Sequence, residues 1–158
     1  MVKKKVDKKI NIQNKKALFD YQIIKKLEAG VQLYGHEVKA VRSGKASLTG
    51  AHIVVRNSEA YLVNANISHY QEANTPESYD PNRTRKLLLN KKEVDELEKV
   101  ERTKGLTVVA LAWYNNNRRL KLEVAIAKGK KDYDKRESLK KHDTKRDMDR
   151  TLKGYKWE

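Results

Sequence analysis

The sequence predicts a mainly β protein: about six short antiparallel strands closing into a small barrel, two short helices, and a charged C-terminal tail. Three observations carry this. Two pairs of apolar runs flank turn-rich links, 51–56 with 61–67 across Asn57-Ser-Glu-Ala60, and 106–114 with 120–127 across Asn115-Asn-Asn-Arg-Arg119. The last run alternates strictly, with Leu120, Leu122, Val124 and Ile126 on one face and Lys121, Glu123, Ala125 and Ala127 on the other, so one face is buried and the other mostly open. The charge is segregated: the 158 residues carry +15 overall, with +6 in residues 1–16, +5 in residues 128–158 and only +4 in the 111 residues between. The middle is long enough for one small core; the flanks are not.

Taken in order, residues 1–13 form a Lys-rich arm in which only Val2, Val6, Ile10 and Ile12 could be buried, so a flexible arm is expected. In residues 19–33, Phe19, Tyr21 and Ile23 alternate as a strand, while Ile24, Leu27 and Val31 break the phase. Two strands or one sharply bent strand are expected, with a bulge at Ala29-Gly30. Residues 35–44 change to helical period through Val38, Val41 and Arg42, and Gly44 suits the left-handed position that ends a helix. Glu37 then sits in the first turn, where it opposes the helix dipole. Residues 71–82, with two prolines, read as a loop of the kind that often carries function. Arg83-Thr-Arg-Lys86 reads as a basic loop leading through three leucines to Asn90, which with Glu93 opens a helix. Val94, Leu97 and Val100 form its inward stripe, and Lys104-Gly105 ends it. The barrel is thus assigned to 14–127. The run Lys128-Gly-Lys-Lys-Asp-Tyr-Asp-Lys-Arg136 joins it to the tail, 128–158.

In the tail, Met148, Leu152 and Tyr155 fall at helical spacing and Glu137 and Lys141 lie four apart. So few apolar residues do not offset an ordering cost of ~1–2 kcal/mol per residue, so a tail disordered when free and helical when bound is expected. A helix of ~27 residues would reach ~40 Å, longer than a body of ~25–30 Å, which points to a groove or channel.

Composition excludes several classes. There is no Cys, hence no disulfide framework or thiolate metal site. No apolar run approaches the ~18 residues of a membrane span, and no apolar segment follows the first lysines. His36, His52, His69 and His142 stand singly, no Ser lies in a nucleophile elbow and no phosphate loop occurs, so neither a metal, a cofactor nor an enzyme is expected. The surplus of cations implies a polyanion, nucleic acid before membrane. Arg83, Arg85 and Lys86, with Lys91 and Lys92, are candidates for phosphate contact; Lys128, Lys130 and Lys131 are others on the way into the tail. Exposed Tyr among Tyr21, Tyr34, Tyr61, Tyr70, Tyr79 and Tyr114 could stack on unpaired bases, although core packing accounts for most of them. An OB-like barrel is the common nucleic-acid version of this shape.

Five stretches resemble one family: Leu27-Glu-Ala-Gly30; Gly35-His-Glu-Val-Lys-Ala-Val-Arg-Ser-Gly-Lys-Ala46; Asp80-Pro-Asn-Arg-Thr-Arg-Lys-Leu-Leu-Leu-Asn90; Thr107-Val-Val-Ala110; and Val124-Ala-Ile-Ala-Lys-Gly-Lys-Lys131 followed by Asp134-Lys-Arg136. In this order they resemble small protein B, the bacterial tmRNA-binding family. The resemblance implies an OB-fold barrel that binds the tRNA-like domain of tmRNA. It further implies delivery with elongation factor Tu and GTP to stalled ribosomes in the cytoplasm, the tail entering the empty mRNA channel beside the small-subunit decoding centre to license trans-translation. It carries tmRNA-binding roles to Asn14, Glu28, Leu88 and Asn90, and a ribosome-binding role to Asp134, Lys135 and Arg136. Asn90 therefore reads both as helix cap and as RNA contact. Phe19 and Tyr133 depart from the family by standing where members carry His. Composition alone also allows a ribosomal or ribosome-assembly OB-fold protein that binds rRNA.

Overall fold

The structure, a computed structural model, describes residues 9–154. Its centre is a closed ring of six antiparallel strands. In chain order the elements are β1 (Asn11–Gln13), α1 (Lys15–Asp20), β2 (Tyr21–Val31), α2 (Gly35–Arg42), β3 (Ala46–Ser47), β4 (His52–Arg56), β5 (Glu59–Val63), β6 (Asn66–Ile67), β7 (Arg85–Leu88), α3 (Lys91–Arg102), β8 (Leu106–Asn116), β9 (Arg119–Gly129) and α4 (Asp132–Gly154). The sheet order is β1-β8-β4-β5-β7-β2-β9, and pairing of β8 with β9 closes the ring. Closure removes the exposed edges that an open sheet would present. β3 and β6 form a separate small ladder.

The strands close because their alternation agrees around the ring. Ala29 pairs with Leu122, Leu122 with Trp113 and Trp113 with Ile12. Ala29, Leu122 and Trp113 are fully buried, and Ile12 packs on the same core. α3 adds Val94 and Leu97 to that core, with Val100 packed at its margin, as the helical stripe predicts. Burial of such side chains contributes roughly 1.5–3 kcal/mol each before entropy is counted.

Several expectations change. The arm is shorter than residues 1–13: Ile10 is buried in the core and residues 11–13 pair with β8 as β1. Its first eight residues lie outside the described residues. Phe19 belongs to α1 rather than to a strand, because Asn14 caps that helix by accepting the Ala17 N–H at 3.1 Å. The register shift of β2 falls between Ile23 and Lys25, where Ile24 turns outward, and not at Ala29-Gly30. Gly30 instead permits close approach: a Cβ there would lie 3.2 Å from Leu88 Cβ. The first hairpin is tighter than expected. Asn57 and Ser58, at φ 52° and 58°, make a two-residue turn whose twist suits the flanking strands. The basic string that read as a loop forms β7 from Arg85 onward.

The tail is helical, where a free chain of this composition is expected to be disordered. Asp132 and Asp134 lie in the first turn of α4 and Lys153 in the last, the signs that suit the helix dipole. Glu137 and Lys141 pair at 3.0 Å. None of its 23 residues is buried. Tyr155, the last member of its expected apolar line, lies outside the described residues.

Candidate nucleic-acid interface

The outward side of the barrel carries one continuous row of side chains. Leu88 of β7 is in register with Gly30 of β2, Gly30 with Lys121 of β9, Lys121 with Tyr114 of β8, and Tyr114 with Asn11 of β1. The adjoining row is the buried one, so strand period alone turns these side chains out. Gly30 leaves a gap in the row, and Leu88 lies over it, 58% exposed. A large apolar side chain held out on a sheet face offers a surface for a base or a sugar.

Glu28 lies two residues from Gly30 on the same outward face. Its carboxylate accepts the Tyr114 hydroxyl at 2.5 Å and the Asn116 amide at 3.4 Å, and Lys121 Nζ stands 3.6 Å away. The Tyr114 hydrogen bond, opposed by some desolvation and helped by Asn116 and Lys121, holds the carboxyl below its ordinary value. Burial and the bond to Glu28 push the Tyr114 phenol well up. The pair is therefore carboxylate and neutral phenol at neutral pH.

Asn90 takes the N-cap of α3 with its side chain exposed, and its N–H donates to Glu93 at 2.9 Å. Glu28, Leu88 and Asn90, separate in sequence, are thus all exposed on the body. A groove of about 530 Å³ is lined by Leu88, Asn90, Lys91, Ser58 and Glu59 among others, with Glu28 outside it.

The structure moves other candidates inward. Asn14 is only 3% exposed; its amide donates to Leu48 O at 2.7 Å and Ala110 O at 2.9 Å, so it ties α1 to the barrel and presents no side chain to RNA. Arg85 has no exposed surface. Strand period points it into the barrel, where it donates to Glu37 at 2.9–3.0 Å and to the carbonyls of Ala65, Arg83 and Pro81. Its expected phosphate contact is replaced by a structural role. Arg83 donates two bonds to the same carboxylate, at 2.5 and 2.8 Å, and stacks over Tyr34 at 4.2 Å, with a quarter of its side chain exposed.

Glu37 is accordingly a buried hub rather than a partner of the helix dipole alone. It accepts from Arg83, Arg85, Tyr79 Oη and the Tyr34 N–H. Burial pushes its carboxyl up, but the Arg83 and Tyr34 bonds and the Arg85 charge outweigh this and bring it down to about 2. The hub pins the 71–82 loop to α2 through Tyr79. Above it Tyr34, His36 and Tyr79 cluster, with His36 stacked on Tyr34 at 5.6 Å and edge-on to Tyr79 at 4.7 Å.

Lys86, the outward neighbour of Arg85, pairs with Glu59 at 2.5 Å and keeps over a third of its side chain exposed. Lys128 and Lys131 are exposed, and the Lys130 N–H donates to Asp20 O at 2.9 Å. Lys135 Nζ lies 3.6 Å from Asp20, which sets the start of α4 against α1; Arg136 is exposed and Asp134 half-buried. Asp20, Asn116 and Lys121 were not singled out by the sequence as site residues, and Tyr114 only as a tyrosine able to stack on a base, not as the partner of Glu28. The alternation of β9 does mark Lys121 as outward; nothing local marks the partners of Glu28, which lie 86 and 88 residues away. Among the described residues no group of acids and His is arranged to hold a metal ion, and no helix is long and apolar enough to cross a membrane.

The pattern of the SmpB protein family matches residues 11–154, nearly the whole chain. The chain belongs to the SmpB family. It is 46% identical to the SsrA-binding protein of Enterococcus hirae over 151 residues, 96% of this chain and 97% of that one. It is 47% identical to the SsrA-binding protein of Rickettsia bellii over 147 residues, 92% and 97% of the two. A solved chain described under "tmRNA-SmpB: a journey to the center of the bacterial ribosome" superposes with TM-score 0.66 at 40% identity, covering 78% of this chain and 86% of that one. The expected family and the expected six-stranded barrel therefore hold, and the tail, expected to be helical when bound, is a helix here.

Proposed function

We propose that this protein binds the tRNA-like domain of tmRNA through the barrel and delivers it to stalled ribosomes, where the tail senses the empty mRNA channel and allows tagging of the nascent chain. The observation that carries this is the near-full-length likeness to SsrA-binding proteins combined with a division in the molecule itself. The body leaves Glu28, Leu88 and Asn90 exposed, whereas α4 is long, charged and buries nothing. A body of this kind reads the shape of a folded RNA. A helix of 23 residues, ~34 Å long, with cations around its length, fits a channel walled by phosphate. With nothing to bury, its helical state is held by what it binds.

The barrel reads tmRNA as a non-catalytic adaptor in the cytoplasm, and elongation factor Tu with GTP joins through the RNA. Lys128, Lys130 and Lys131 supply phosphate contacts where the barrel passes into the tail. Asp134, Lys135 and Arg136 engage the ribosome after docking. A ribosomal or assembly protein that binds rRNA is the weaker reading, because the relatives are SsrA-binding proteins over almost their whole length. Affinity purification from cells with sequencing of the bound RNA tests the choice. Enrichment of tmRNA is expected; rRNA alone would favour the assembly reading.

A further inference from the structure

A cleft of about 490 Å³ lies at the end of the β8–β9 hairpin, lined by Glu28, Asn116, Asn117, Arg118, Arg119 and Lys121. Three of these six are cations and two are amides. The single acid is already engaged: Glu28 accepts from Tyr114 and Asn116, and Lys121 at 3.6 Å offsets its charge, which leaves Arg118 and Arg119 as the surplus cations of the cleft. The turn itself is fixed. Asn117 takes φ 56°, and the Arg118 carbonyl accepts from Arg42 Nη2 of α2 at 2.9 Å. That bond uses the backbone of Arg118, and its guanidinium is exposed, as is that of Arg119. The cleft continues the outward row, because Lys121 is in register with Gly30, beside Leu88.

We propose that this cleft is a phosphodiester-binding subsite for the RNA held on the barrel, and that Glu28 is its positioning residue, not an RNA ligand. A carboxylate on an RNA-binding face repels phosphate unless it is neutralised. Here Lys121, 3.6 Å away, offsets its charge, and its bonds to Tyr114 and Asn116 brace the strand ends beneath the turn, so that Arg118 and Arg119 are the surplus cations lining the cleft. Arginine forks match phosphate oxygens in geometry as well as charge. This inference rests on the reading that the barrel binds tmRNA.

The test uses the full chain and a transcript of the tRNA-like domain, with the dissociation constant measured across salt concentrations. For Arg118→Ala/Arg119→Ala, affinity at physiological salt should fall about tenfold, and the log–log salt slope should become shallower by about one to two phosphates' worth, ~0.9 each on a duplex. Melting should not change, since both side chains are exposed. Unchanged affinity and slope would overturn the subsite. Glu28→Ala and Tyr114→Phe should each weaken binding, and the double variant should bind no worse than Glu28→Ala alone. Losses that multiply would make Glu28 a direct RNA contact and overturn its positioning role. If the wild-type chain fails to bind the transcript, the tmRNA reading itself falls, a result distinct from either failure in the variants.

Discussion

Two basic stretches of this protein look alike in sequence and behave oppositely. Arg83-Thr-Arg-Lys86 has its cations consumed by the protein: Arg85 is wholly buried against Glu37, Arg83 shares that carboxylate, and Lys86 pairs with Glu59. In α4, Arg136, Lys140, Arg146 and Arg150 stand on a helix with no buried residue. The first stretch builds the body; the second is free to bind. A run of positive charge therefore says little about binding until its acidic partners are known.

This contrast predicts effects that differ by stretch. The largest belongs to the buried hub. Arg85→Ala leaves Glu37 buried with one guanidinium in place of two and should cost about 3–5 kcal/mol in denaturant unfolding. Arg136→Ala or Arg146→Ala should stay within about 0.5 kcal/mol of wild type. Equal losses in the two stretches would break the comparison. Next comes Asn14→Ala, which strands the buried Leu48 and Ala110 carbonyls and uncaps α1, for about 2 kcal/mol. Its effect on RNA binding should follow from unfolding alone and vanish at low temperature.

Asn90→Ala sits between the two kinds of residue. As a cap it should cost ~1 kcal/mol. As part of the exposed surface it should lower tmRNA affinity even at temperatures where the variant is fully folded. Normal melting together with normal binding would remove Asn90 from both roles.

Acid sharpens the same contrast. The Glu37 carboxyl is held at about 2 in the folded chain, below its ordinary 4.5. A depressed carboxyl stabilises the fold above the ordinary value, and the contribution is lost as pH falls from about 4.5 through 2. Unfolding free energy of the wild type should therefore decline over that window. Glu37→Gln should lower stability at pH 7 and flatten the decline, whereas removing the tail should leave the Glu37 part of it unchanged.

Much of this fold was legible from period alone. The β8–β9 hairpin, the α3 stripe of Val94 and Leu97 and the short α2 follow from alternation, helical spacing and Gly44. The misreadings share a cause. Arg85 occupies an inward strand position, where a charged residue masks the alternation of Arg85, Lys86, Leu87 and Leu88. Only Glu37, 48 residues earlier, makes that burial tolerable. Asn14 likewise looks like a surface residue until the carbonyls it serves, 34 and 96 residues on, are seen. Phe19, Tyr21 and Ile23 alternate by accident across the junction of α1 and β2. The family motifs carried tmRNA-binding roles to Glu28, Leu88 and Asn90, which the structure leaves exposed, but the hairpin-tip cations beside Glu28 carry no local signature.

The most direct test of the division between body and tail is deletion of residues 133–158, with three readouts: melting, tmRNA affinity and tagging on stalled ribosomes. The side chains that pair α4 with the body are Lys135 and Asp20, a partly exposed pair that contributes at most ~1 kcal/mol. Melting and tmRNA affinity close to wild type, with tagging abolished, is the expected result. An affinity that falls in proportion to the positive charge removed would contradict it and make the whole chain a single electrostatic binder.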